Sequence, residues 1–140
     1  KGKSQKYKSK LKSFYNTLTN MNYSVDLKSR CYKFSLSLII FIDTLPNQRS
    51  CWIISDQVLR SGTSIGANLV EGTASSSRLE FKKYHEIALK SANETKYWLG
   101  LLRDSGKGNK EETERLLKEV MEISNMIASG VMKLKAKHYF

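Results

Sequence analysis

The chain has 140 residues and carries 24 Lys or Arg against 13 Asp or Glu, a net charge of +11. That length is enough for one domain with a real core, and the charge favours a polyanionic partner, nucleic acid above all. The longest apolar run, Leu38 to Ile42, is far too short to span a bilayer, and the basic start is not followed by an apolar stretch, so neither a membrane helix nor a secretory leader is expected.

Residues 1–24 read as a separate basic, amphipathic extension. Residues 1–30 hold eight Lys or Arg against Asp26 alone, which is +7 of the charge and leaves +4 for the other 110 residues. Lys1 to Lys12 has the composition of a basic arm. Yet Tyr7, Leu11, Phe14, Tyr15 and Leu18 recur at helical spacing and give the arm an apolar face with a lysine-rich back. Such a helix can lie on the bundle, on a neighbouring subunit, on RNA or on a membrane surface. Asn20 to Ser24 separate it from the rest of the chain.

Residues 25–140 read as one all-α domain. Proline occurs once and the apolar residues recur every three or four positions. Leu27, Cys31, Phe34, Leu38, Phe41, Ile42 and Leu45 make a first stripe, ended by Pro46. A second helix is expected from about Ser50 to Ala74. Ser75-Ser76-Ser77 interrupts the pattern, and Ser77 with Glu80 forms a capping box for a third helix. Its stripe is Phe81, Tyr84, Ala88, Ser91, Thr95, Trp98 and Leu102, and Gly106 and Gly108 end it. Asn109 and Glu112 cap a fourth, with Leu116, Val120, Ile123, Ile127, Val131 and Leu134 inward. Four helices with short connections predict an antiparallel up-down-up-down four-helix bundle. In such a hairpin Cys31 lies about 14 residues, roughly 20 Å, from the turn that precedes Cys51. That is beyond disulfide reach, so both are expected as free thiols in a reducing cytoplasm.

The second helix carries an unusual segment, Arg60-Ser-Gly-Thr-Ser-Ile-Gly-Ala-Asn-Leu-Val-Glu-Gly72. Ile54, Val58, Ile65 and Leu69 form an apolar stripe, while Gln57, Arg60, Ser64, Asn68 and Glu71 form a polar one about 100° around the helix. Ser61, Gly62, Gly66 and Ala67 lie between and let another backbone come close. Two packed stripes on one helix exceed the single inner face that a lone bundle requires, which predicts a homo-oligomer. The polar stripe has two readings. It is either an inter-helix or subunit network, with Ser64 and Asn68 bonding across helices, or a ligand site in which Gln57 and Arg60 meet a phosphate or base and Glu71 fixes the guanidinium.

Gln57-x-x-Arg60, Ser64-Ile65-x-x-Asn68-x-x-Glu71-Gly72, Glu80-Phe81 and Ala88-x-x-Ser91-x-x-Glu94 together resemble a bacterial four-helix-bundle family, the 23S rRNA intervening-sequence or S23 proteins. That family is related to the accessory variability determinant of diversity-generating retroelements. The resemblance runs from about Asp26 to Tyr139 and leaves residues 1–24 outside. It implies a ring-like homopentamer without catalytic activity. In the retroelement group it implies a basic protein that assists a reverse transcriptase and its RNA. The Ser64-to-Gly72 wording is closer to the intervening-sequence group. Lys90 stands beside Ser91 where the resemblance implies a glycine.

No catalytic, metal or cofactor site is indicated. His85 and His138 lack Cys or carboxylate neighbours at ligand spacing, and Glu86 is set for an i,i+4 contact with Lys90. No serine sits in a nucleophile elbow, and Gly62 and Gly66 lack the strand and lysine of a phosphate loop. Tyr84, Tyr97 and Trp98 can stack on bases, but their spacing also suits core or subunit contacts. The candidate nucleic-acid-binding residues are three basic clusters: Lys3, Lys6, Lys8, Lys10 and Lys12; Arg78, Lys82 and Lys83; and Lys133, Lys135 and Lys137 beside His138. The expected function is a non-enzymatic homo-oligomeric bundle that binds nucleic acid, RNA ahead of DNA. The alternative is a protein-interaction scaffold, such as an accessory subunit for a reverse transcriptase.

Overall fold

The computed structural model describes residues 27–136, together with Gln5, Lys6 and Ser9. The side chain of Ala136 and the rest of the N-terminal extension lie outside the described residues. Four long helices make up the bundle: α1 Leu27–Ile42, α2 Arg49–Thr73, α3 Arg78–Asp104 and α4 Lys110–Ala136. Each packs on the next in chain order, and α4 closes on α1. The described residues are all-α, as the apolar periodicity requires.

Local signals fix the helix ends. Ser77 Oγ accepts the backbone N–H of Glu80 at 3.1 Å and starts α3. The reciprocal half of the capping box is displaced by one residue, because the Glu80 carboxylate accepts from Ser76 Oγ at 3.0 Å. Asn109 Oδ1 accepts from the Glu112 N–H at 2.9 Å and starts α4. At the end of α3, Gly106 turns left-handed at φ 70°, and the N–H of Lys107 reaches the carbonyl of Leu102 at 3.0 Å. This is a Schellman closure. Gly108 is left-handed too, and a Cβ there would lie 2.6 Å from Leu45 Cδ2. A side chain at 108 therefore meets both strain and a clash.

The core takes Phe34, Leu38 and Phe41 from α1, Val58, Ile65 and Leu69 from α2, and Leu116, Val120, Ile123 and Ile127 from α4. Each large apolar side chain buried here contributes about 1.5–3 kcal/mol. On α3 the expected stripe is partly rotated, with Ala88, Thr95 and Leu102 buried as expected. Ala88, Ala92, Thr95, Leu99 and Leu102 are the buried residues, while Tyr84, Ser91 and Trp98 are half-buried toward α2. Periodicity alone does not find Ala92 and Leu99, because Ser91 and Trp98, one position before them, give an equally regular pattern. Cys31 and Cys51 are both buried free thiols. The α1–α4 junction is clasped at its surface, where Arg30 Nε donates to Glu119 Oε1 at 2.6 Å and Nη2 to Glu122. The Glu119 hydrogen bond, with Glu122 behind it, raises the pKa of this guanidinium above its usual value.

Candidate nucleic-acid interface

The basic clusters are positioned by helix ends. The Ser77 cap sets the first turn of α3, so Arg78 and Lys83 project outward and are exposed. Lys82 is half-buried and lies 3.9 Å from the Glu86 carboxylate. The expected Glu86–Lys90 contact therefore gives way to the pair one turn earlier, and Lys90 stands exposed two turns beyond Lys83. Lys133 and Lys135 are exposed in the last turn of α4, where the helix dipole favours cations. Among the described residues, Arg78, Lys83, Lys90, Lys133 and Lys135 make none of the ion pairs within 4.0 Å. Lys6 is helical and exposed. Lys3, Lys8, Lys10, Lys12, Lys137 and His138 lie outside the described residues.

Helix order brings the second and third clusters together. The start of α3 and the end of the antiparallel α4 are at the same end of the bundle, some fifty residues apart in sequence. Lys90 shares a helix row with Lys83 but stands near the midpoint of α3, away from that end.

The polar stripe of α2 lies along the α2–α3 seam. Ser64 Oγ is 3.0 Å from Ser91 Oγ across that seam. Asn68 Nδ2 donates to Ser64 O at 2.8 Å and to Ser64 Oγ at 2.9 Å, so Asn68 braces its own helix instead of bonding across. Arg60 Nη2 donates to Gln57 Oε1 at 2.7 Å and lies 3.9 Å from Glu94 on α3. Glu71, three turns further along α2, is exposed at the other end of the stripe. Beneath this row, Thr95 Oγ1 donates to Ser61 Oγ at 2.9 Å within the core. Lys90 points to solvent, and the helices approach through Ser64 and Ser91 at the turn where the resemblance implies a glycine.

Among the aromatics, Tyr84 is half-buried under Gly72, where an added Cβ would lie 3.2 Å from Tyr84 Cβ. Tyr97 is exposed and stands edge-on to half-buried Trp98 at 5.0 Å. His85 is tied to its own helix, with Nδ1 3.0 Å from the Phe81 carbonyl oxygen and its ring tilted against Phe81 at 4.2 Å. No described helix is long and apolar enough to cross a membrane.

One outer face is conspicuously apolar. The α1–α2 register is set by two glycines: Gly62 faces Leu38, and Gly66 faces Cys31, with a Cβ at 66 lying 3.1 Å from Cys31 Cβ. On the solvent side of this seam Tyr32 is 67% exposed, Ile39 44%, Trp52 58% and Val70 56%. Tyr32 and Ile39 are two turns apart on α1, and Trp52 and Val70 share a row on α2 with Leu59.

Comparison with known proteins agrees with this architecture. The profile of the 23S rRNA-intervening sequence protein family matches residues 23–129. A crystal structure of a protein of unknown function from the S23 ribosomal protein family, from Bacteroides thetaiotaomicron VPI-5482, is 36% identical in sequence. It superposes with a TM-score of 0.69 and covers 76% of this chain and 98% of its own. Among curated proteins, none matches. The family match covers the bundle up to residue 129, leaving the last turns of α4 and most of the lysine-rich extension aside: the chain belongs to the 23S rRNA-intervening sequence protein family.

Proposed function

We propose that this chain is a non-enzymatic, homo-oligomeric bundle that acts in the cytoplasm and binds nucleic acid, RNA ahead of DNA, through its basic surface. The observation that carries the reading is the group of exposed cations, Arg78, Lys83, Lys133 and Lys135, that make no ion pair among the described residues. Cations left unneutralised on a folded surface are available to phosphates and to the counterion release that drives such binding. The family description, with its reference to ribosomal RNA, favours RNA. Nδ1 of His85 is tied to the Phe81 carbonyl of its own helix.

Assembly is supported by the exposed α1–α2 seam. Four large apolar side chains exposed along one seam, Tyr32 and Ile39 on α1 and Trp52 and Val70 on α2, are unusual on a monomer's surface. A second copy of the chain is the occupant that is always present at matching concentration, and self-association commonly uses such faces. Gel filtration with light scattering is expected to give a mass several times 16.0 kDa, five times if the ring implied by the resemblance holds. A clean monomer at micromolar concentration would remove the assembly half of the proposal and favour the scaffold reading, in which a different protein, such as a reverse transcriptase, covers the seam.

Nucleic-acid binding is expected to be salt-dependent and weakly selective for sequence. Fluorescence anisotropy with a structured RNA should show log affinity falling steeply with log salt. Deleting residues 1–24 should flatten that slope without unfolding the bundle, because six of the lysines lie there. No binding at about 50 mM salt, where such contacts are strong, would overturn the RNA reading.

A further inference from the structure

The two ends of this bundle are electrically unlike. The first halves of α1 and α3 and the second halves of α2 and α4 meet at one end, because the helices alternate in direction. Residues 27–34, 62–90 and 124–136, which form that half, hold nine Lys or Arg against three Asp or Glu. Residues 35–61 and 91–123, which form the other half, hold eight against nine. Arg30 is already committed to Glu119 and Glu122, yet the imbalance remains. The chain also enters and leaves the bundle at the cationic end.

A helix of 27 residues is about 40 Å long, whereas charges are screened over about 8 Å at physiological ionic strength. The two ends therefore act separately on a polyanion. Net charge near zero at the far end gives no attraction there. Exposed Lys83 on α3 and Lys133 and Lys135 on α4 lie on neighbouring helices at the near end, and Arg78 opens it.

We propose that RNA docks end-on, across the end formed by the α2–α3 turn, the start of α1 and the last turn of α4, and not along the sides of the bundle. This inference rests on the nucleic-acid reading above and adds its place and orientation. The fixed cations Arg78 and Lys83 of α3 and Lys133 and Lys135 of α4 hold the phosphates at the pole. The opposite end, with Asp43, Asp104 and Glu111, faces away from the nucleic acid.

The test uses the full chain and a fluorescent RNA hairpin, with two matched fourfold variants. One removes near-end charge: Arg78→Gln, Lys83→Gln, Lys133→Gln and Lys135→Gln. The other removes far-end charge: Arg49→Gln, Lys107→Gln, Lys110→Gln and Lys118→Gln. Circular dichroism melts establish that both fold. The near-end variant is expected to weaken binding at least about tenfold at about 100 mM salt, and to reduce the slope of log affinity against log salt by about three to four. The far-end variant should change affinity by less than about threefold, since it touches no phosphate. Equal losses from the two variants, or a larger loss at the far end, would overturn end-on docking while leaving RNA binding in place. If the unmodified chain fails to bind the hairpin at all, the nucleic-acid reading itself fails, and end-on docking with it.

Discussion

The two sides of α2 achieve close helix packing by different means. Toward α1 the contact is made by absence: Gly62 and Gly66 leave room for Leu38 and Cys31, so a large apolar side chain of one helix seats directly on the backbone of the other. Toward α3 it is made by small hydroxyls, Ser61 with Thr95 and Ser64 with Ser91, which keep the helices near and hydrogen-bond between them. The glycine side gains contact area and dispersion but specifies no polar register. The serine side gives up little area and fixes register, because a shifted hydroxyl would leave a buried donor unpaired. One helix can therefore face two neighbours closely without being featureless on either side.

The sharpest way to break this comparison is to fill the glycine side. Gly62→Leu would drive a side chain into the space of fully buried Leu38, and we expect a loss of about 3 kcal/mol or more in denaturant unfolding. The corresponding fall in Tm is roughly 15 °C for a domain of this size. A variant that melts like the parent would mean that α1 does not sit on Gly62.

The serine side should respond less. Thr95→Val keeps the volume but removes the hydroxyl that bonds Ser61 Oγ and the Ser91 carbonyl. A loss of about 1–2 kcal/mol is expected. A neutral or stabilising result would show that packing alone holds this seam.

The smallest effects belong to the outer row. Asn68→Ala should cost about 1 kcal/mol, because it removes the brace on Ser64 and nothing across the seam. Arg60 is largely exposed, with its side chain 72% accessible and Glu94 at 3.9 Å, so Arg60→Ala should change stability by less than about 0.5 kcal/mol. Melts and RNA anisotropy on the same two variants separate the alternatives for the stripe. Unchanged melting with lost binding would make the row a ligand site and not part of the α2–α3 packing.

Much of the fold is legible from local patterns. Apolar residues three and four apart mark each helix, and Ser77, Asn109 and Gly106 mark ends because caps act within a few residues of themselves. The small residues of the Arg60–Gly72 segment announce close neighbours on more than one side. On α3 the pattern is only partly legible: Ala88, Thr95 and Leu102 of the expected stripe are buried, but Ala92 and Leu99 complete the buried row, while Tyr84, Ser91 and Trp98 lie half-buried. Volume decides this. Alanines let α3 approach the core, and the larger Tyr84 and Trp98 fit only at its margin toward α2.

The sequence by itself determined the helices, their order and the excess of positive charge, since periodicity, capping and composition are local or summed properties. Tertiary structure decided which charges meet. Glu86 has lysines at both i−4 and i+4, and only packing, which holds Lys82 half-buried and Lys90 in solvent, selects between them. Arg30 finds Glu119 and Glu122 across the bundle, some ninety residues away. The clusters at Arg78–Lys83 and Lys133–Lys135 come to one end only because four helices of similar length alternate in direction. Coulomb interactions depend on distance in space, and for residues this far apart in the chain that distance is set by topology.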